Sequence, residues 1–144
     1  MTLHPATVDA SGITTDGYIE LTAANQMTVG NPMGANPTFP KFDFDNAIVA
    51  HLTFDDVSRM LQVFRGECES VNDDNGIIHR NAKRLLRIRL RHIIDPVCGY
   101  SLEFYSKTSG VDEERHTNFL MSTAEALGIC EAFCDSMRLI AFGE

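Results

Sequence analysis

Lys83-Arg84-Leu85-Leu86-Arg87-Ile88-Arg89-Leu90-Arg91-His92-Ile93 is the stretch that decides how the chain is read. From Leu86 to His92 apolar and basic residues alternate without a break. As a strand this puts Leu86, Ile88 and Leu90 on one face and Arg87, Arg89 and Arg91 on the other. Six of the twelve Lys and Arg residues fall between Arg80 and Arg91, and no acid occurs between Asp74 and Asp95. The remainder of the chain sets six basic residues against all twenty acids, a net −14. A polyanion is the partner that such a strand suits.

Outward from this strand the pattern is that of a hairpin. Asp95-Pro96-Val97-Cys98-Gly99 breaks the alternation, and a second alternating strand runs from Tyr100 to Lys107. Thr108 to Glu114 is a polar turn, and Arg115 to Met121 reads as a further strand. Upstream, Asn75-Gly76 marks a turn before a short strand at Ile77 to His79. Ser122 and Glu125 then form a capping-box pair at the start of an amphipathic helix carrying Ala126, Leu127, Ile129, Cys130, Phe133, Cys134 and Met137. Apolar residues continue past it as Leu139 to Phe142. This face is wider than one small sheet needs, which points to a homodimer or higher homo-oligomer.

The same sequence of signals occurs once before. A strand over Asn46 to Leu52 is followed by Thr53 as N-cap, with Asp55 and Asp56 in the first turn where the helix dipole favours acids. Phe54, Val57, Met60, Leu61 and Phe64 recur at helical spacing, and Gly66 supplies the stop. Thr53–Phe64 and Ser122–Phe133 thus share a pattern with little identity: strands, a hydroxyl cap, then a helix. Before them, residues 1–41 are rich in Thr, Asn, Gly and Pro, with a short alternating segment at Gly17 to Ala23. These residues are expected to form an extended N-terminal arm, and residues 42–144 a single α+β domain.

At 144 residues, 44 % hydrophobic and 22 % charged, the composition is that of an ordinary globular chain. No run approaches the ~20 apolar residues of a membrane span, and Met1 to Ala10 lacks the features of a signal peptide. A cytoplasmic protein without a membrane partner is expected. The net charge of −8 argues against indiscriminate coating of nucleic acid. A local basic site is compatible with it, because charges more than about 8 Å apart are largely screened at physiological salt.

Chemistry-bearing motifs are absent: no glycine-rich phosphate loop, no nucleophile elbow and no His-Glu-x-x-His helix. Cys68, Cys98, Cys130 and Cys134 show no zinc-ligand spacing, and Cys130 and Cys134 fit small apolar positions of a reduced protein. Neither an enzyme nor a cofactor is expected. Asp43 and Asp45 on one extended face are the only candidate cation ligands for a metal-dependent nuclease. A second alternative is a protein-interaction or assembly module built on the apolar C-terminal helix.

Nucleic acid is favoured over both. Arg87, Arg89 and Arg91 recur about 6.6 Å apart at ordinary strand rise, close to the step between phosphates of an extended single strand. Each can grip a phosphate in bidentate fashion. Exposed ion pairs contribute only about 0–1 kcal/mol each, which makes stability a weak reason for three arginines in a row. The candidate nucleic-acid-binding residues are Arg80, Lys83, Arg84, Arg87, Arg89, Arg91, Tyr105 and Lys107, with Tyr100, Phe119, His92 and His116 as further stacking candidates.

The order strand, Arg strand, Pro/Gly turn, strand, strand, capped helix over Ile77 to Phe142 resembles the repeat of the whirly-type single-stranded-nucleic-acid-binding proteins. That superfamily includes the plant whirly proteins, the Pur-alpha repeats, the mitochondrial guide-RNA-binding proteins and the positive-cofactor type of transcriptional coactivators. The resemblance implies a curved antiparallel sheet with two covering helices, a strand group then a helix, twice over. It also implies binding of single-stranded DNA, or RNA, with little sequence preference. A small acidic protein of this kind suits a bacterial or phage single-strand binder.

Overall fold

The computed structural model describes residues 1–95 and 97–143. Its larger sheet is built from β8 (Ile77–Arg80), β9 (Arg84–Ile93), β10 (Gly99–Thr108) and β11 (Glu114–Ser122), all antiparallel, in the order β11-β10-β9-β8. The expected hairpin is its centre, with Leu90 opposite Leu102 and Ile88 opposite Phe104. Pro96, at the middle of the expected break, lies outside the described residues. Leu86, Ile88 and Leu90 are each 1 % exposed and, with Leu102 and Phe104, form the inner face. The period-two pattern therefore did what alternation dictates: one slip of register would have sent every leucine into water.

The smaller sheet has the order β1-β4-β7, from β1 (Thr2–His4), β4 (Tyr18–Ala23) and β7 (Ile48–Leu52). Residues 1–41, the expected arm, contribute β1 and β4 to this sheet. Ile19 and Ala23 enter the core beside Ile48, Ala50 and Leu52 because β4 alternates in phase with β7. Proline and glycine made the region look like a linker, but they fall between its strands. The short pair β2 (Thr7–Val8) and β3 (Thr14–Thr15) caps one link. Residues between β4 and β7 project as a ribbon, β5 (Gln26–Thr28) against β6 (Lys41–Phe42).

Each sheet is followed by its helix: β7 by α1 (Phe54–Phe64), and β11 by α2 (Thr123–Phe142). Both caps are complete boxes: Thr53 with Asp56, and Ser122 with Glu125, each exchanging side-chain and backbone hydrogen bonds. Hydrogen bonding to the Ser122 backbone and hydroxyl holds the Glu125 carboxyl below its ordinary pKa. Leu139 to Phe142, read as a tail, continue α2 until Gly143 closes it in the left-handed region at φ +73°. The two helices pack on each other and on the inner faces of both sheets, around Val57, Met60, Phe133 and Ile140. Thr53→Ala is expected to cost about 1 kcal/mol, read as a lower urea midpoint at unchanged m-value.

Most of the wide α2 face is used within the chain. Ala126, Phe133 and Ile140 are buried, while Leu127 and Phe142 stay exposed. All four cysteines are free thiols. Cys130 and Cys134 are half-buried against the core, with burial raising the Cys130 thiol pKa and the Arg65 guanidinium donating to Cys134 Sγ at 3.3 Å.

Candidate nucleic-acid interface

The outer face of the larger sheet presents its side chains in rows across the strands. Register places Ile78, Arg87, Tyr105 and His116 in one row, and Arg80, Leu85, Lys107 and Glu114 in the next. Arg89, Glu103 and Asn118 make a third, and Arg91, Ser101 and Leu120 a fourth. Arg87, Arg89 and Arg91 do share this face, together with Tyr105 and Lys107. Arg80 stands at its edge on β8, and Lys83 lies in the β8–β9 turn, where Asn81 Oδ1 accepts from the backbone of Lys83 and Arg84.

Arg84 does not join them. It is in phase with Leu86 and Ile88, so it points inward, and its Nη2 donates to the Val49 carbonyl at 2.8 Å. Arg115 makes the matching bond to the Ala47 carbonyl at 3.4 Å. The two arginines brace the larger sheet against the smaller one, and Arg84 turns away from the outer face while still lining the cleft beside Arg80.

Arg89 is on the right face but already occupied. Its Nη2 reaches Asp74 Oδ2 at 2.7 Å, its Nε the Asp74 carbonyl at 3.2 Å, and its Nη1 Glu103 Oε1 at 3.2 Å. These contacts hold the guanidinium pKa above its ordinary value, the Asp74 hydrogen bond first. Asp74 ends a run of left-handed backbone, with φ of 51° at Asn72, 53° at Asp73 and 69° at Asp74. Three consecutive non-glycine residues there carry strain that the surroundings must hold. Arg89 supplies part of that hold, and Arg59 adds a 2.7 Å bond to Asn72 Oδ1. Gly76 follows at φ +79°, where a Cβ would press on the Ile88 carbonyl. Arg89→Ala is accordingly expected to speed amide exchange over residues 72–76, while shifting the salt dependence of nucleic-acid binding less than Arg87→Ala does.

Lys107 is also paired, to Glu114 at 3.5 Å, and His116 Nε2 lies 3.6 Å from Glu103. Tyr105 is half-exposed, its hydroxyl pKa raised chiefly by hydrogen bonding to the Glu114 carboxylate. Among the described residues, Arg80, Lys83, Arg87 and Arg91 have no ion-pair partner, and all four are exposed. At one end of the face, Arg80 and Lys107 with Asn81, Ser109 and Asp112 line a cleft of about 410 Å³. Its walls are tied together by the Ser109 amide, which donates to the Lys83 carbonyl at 2.8 Å.

Of the further stacking candidates only His116 looks outward. Tyr100, His92 and Phe119 belong to the inner phase: Tyr100 donates to the Phe64 carbonyl at 3.3 Å, and Phe119 packs edge-on against Phe104 at 6.1 Å. Exposed aromatic groups occur instead where the alternation of β9 gave no hint of them. On the outer face of the smaller sheet, the rings of His4, Tyr18 and His51 stack in series at 4.4 Å, beside Glu20. Spacing of His51 within β7 and of Tyr18 within β4 marks both as solvent-facing, but nothing local pairs them. On the β5–β6 ribbon, Phe39, Phe42 and the following Phe44 are exposed.

Asp43, one of the two candidate cation ligands, is accounted for by the single 3-10 turn Phe44–Asn46. Its carboxylate caps that turn, accepting from the Asn46 amide at 3.3 Å and side chain at 2.9 Å. Among the described residues no group of three or more His, Cys, Asp or Glu is placed to hold a metal ion.

No family model matches the sequence, and no curated protein matches it. Solved structures do. WHY1 from Arabidopsis thaliana superposes with a TM-score of 0.72 at 14 % identity, over 99 % of this chain and 77 % of that one. The plant transcriptional regulator PBF-2 gives 0.67 at 13 %, over 96 % and 72 %. A guide-RNA-binding protein complex bound to a gRNA gives 0.58 at 14 %, over 99 % and 96 %. The fold is whirly-like: two strand groups, each followed by its helix, across the whole chain and not only its last two thirds.

Proposed function

We propose that this protein binds single-stranded nucleic acid, DNA in the first instance, across the outer face of β8–β11 with little sequence preference. The observation that carries the reading is the set Arg80, Lys83, Arg87 and Arg91: four exposed cations without a partner on or beside one sheet face of an acidic chain. With Arg89 engaged by Asp74 and Glu103, the free arginines of β9 stand four residues apart, about 13 Å. They would then engage alternate phosphates of an extended strand. Tyr105 and His116 lie in the same row as Arg87 and, among the described residues, offer the rings on that face. The likeness to a protein described as bound to a gRNA supports a nucleic-acid partner and makes RNA the natural comparison.

Fluorescence anisotropy with labelled oligo-dT, oligo-U and a duplex of equal length, each at several salt concentrations, tests this. Binding to single strands ahead of duplex, weakening linearly in log[salt], is the expected result. No binding to any of them at low salt would reject the reading.

A protein-interaction module is the second reading, favoured by one specific feature. Leu21, Phe119, Leu120, Met121 and Ile129 line an apolar cleft of about 430 Å³ between the sheets and α2. Leu120 is 72 % exposed at its rim and Leu127 lies on the adjoining helix. Self-association through this region would accompany nucleic-acid binding without replacing it. Leu120→Asp is expected to lower the mass measured by light scattering if copies meet there.

A further inference from the structure

The outer sheet face has cations but few rings, and the rings are elsewhere. The β5–β6 ribbon and the turn that follows it expose Met27, Val29, Met33, Phe39, Phe42 and Phe44, at 67, 87, 93, 74, 43 and 67 % respectively. So many large apolar side chains left exposed along one short stretch point to an interaction surface. Composition alone makes it look like a loose loop, but it is built. Thr38 closes on Asn31 through both its amide and its hydroxyl, at 3.0 and 2.9 Å. Thr28 Oγ1 accepts from the Lys41 amide at 3.2 Å. Gly30 passes so close to Pro40 that a Cβ would lie 2.6 Å from its nitrogen. A held ribbon presents its side chains without the ordering cost of a free one.

Its base is tied to the proposed interface. The Asp43 amide donates to the Asn25 carbonyl at 2.9 Å, and Asn25 Nδ2 donates to the His116 carbonyl on the edge strand β11 at 3.3 Å. His116 belongs to the row of Arg87 and Tyr105. The ribbon thus springs from the end of the row that the cations begin. Phe42 and Phe44 stand 6.2 Å apart at 53°, so neither ring covers the other's face, and Lys41 adds an exposed cation. Asp45 is the exposed acid nearby, whereas the Asp43 carboxylate is turned onto Asn46.

We infer that Phe39, Phe42 and Phe44 on this ribbon are the base-stacking platform of the single-strand site, receiving bases whose phosphates lie on the Arg face. This rests on the nucleic-acid reading above. It assigns the two halves of single-strand binding, charge and stacking, to different parts of the chain. Aromatic platforms contribute without regard to sequence, since every base has a π face.

The test compares wild type, Phe39→Ala/Phe42→Ala/Phe44→Ala and the corresponding triple Leu variant on oligo-dT and on an abasic strand of equal length. All three side chains are exposed and none belongs to the core, so the variants should keep the wild-type melting curve. Both variants should bind oligo-dT at least tenfold more weakly, with an unchanged salt slope and an unchanged, weaker affinity for the abasic strand. Wild-type affinity retained by the Ala variant would overturn the platform while leaving the Arg face standing. Rescue by Leu would mean apolar packing in place of stacking, and would also overturn it. A fall in mass with oligo-dT affinity retained would assign the ribbon to a second copy. If wild type binds no single strand at all, the nucleic-acid reading itself fails, and the platform with it.

Discussion

Replacing Phe104 by alanine is expected to lower the free energy of unfolding by about 3–5 kcal/mol, the usual cost of deleting a buried aromatic ring. Phe104 sits where the elements converge. It is 2 % exposed, lies opposite Ile88 on one side and Thr117 on the other, and meets Phe119 edge-on. Nearby residues cannot close the gap easily, because β9 and β11 are held in register along their whole length. Against a total stability of roughly 5–15 kcal/mol for a domain, the loss is a large fraction. Urea denaturation followed by circular dichroism should show it as a lower midpoint at unchanged slope, with Phe104→Leu much less affected. A change below about 1 kcal/mol for the alanine variant would mean that the two sheets do not share the core described.

How much of this was legible beforehand differs between backbone and site. Alternation in β9 and β10, and the hydroxyl caps at Thr53 and Ser122, identified the second strand group and both helices, because periodicity and capping are local signals. Within residues 1–41, β4 becomes recognisable as a core strand only through Ile48, Ala50 and Leu52 on β7, over twenty residues away. Alternation did place Arg87, Arg89 and Arg91 together on the outer face, away from Leu86, Ile88 and Leu90. Arg84 shares the charge block but has the even phase of Leu86, and it turns toward Val49. Arg89 lies on the expected face but is ion-paired, and its partner Asp74 stands just beyond the stretch without acids. Asn72-Asp73-Asp74-Asn75-Gly76 could have been seen as a turn folding back onto the strand, yet which arginine it meets is set by tertiary register. Tyr100 and Phe119 have strand parity as their only guide, and that parity turns them inward.

The second large effect follows from the four free cations. If Arg80, Lys83, Arg87 and Arg91 each neutralise one phosphate, the slope of log K against log[salt] for oligo-dT is about −2.8, at ~0.7 per contact on single strands. Removing all four should cost about 10²- to 10³-fold in affinity at 0.1 M salt, and less as the salt rises. Because these side chains are exposed and unpaired, stability should change little. Arg84→Ala would behave in the opposite manner: it leaves the Val49 carbonyl without its donor and loosens the two sheets, with no phosphate contact of its own to lose.

The most direct measurement is therefore the salt slope of oligo-dT binding for Arg87→Ala/Arg91→Ala beside wild type, by anisotropy from 50 to 300 mM salt. The slope is expected to become shallower by about 1.4, two contacts' worth, with the melting temperature unchanged. A double variant that keeps the wild-type slope and affinity would contradict the assignment of the outer sheet face to nucleic acid.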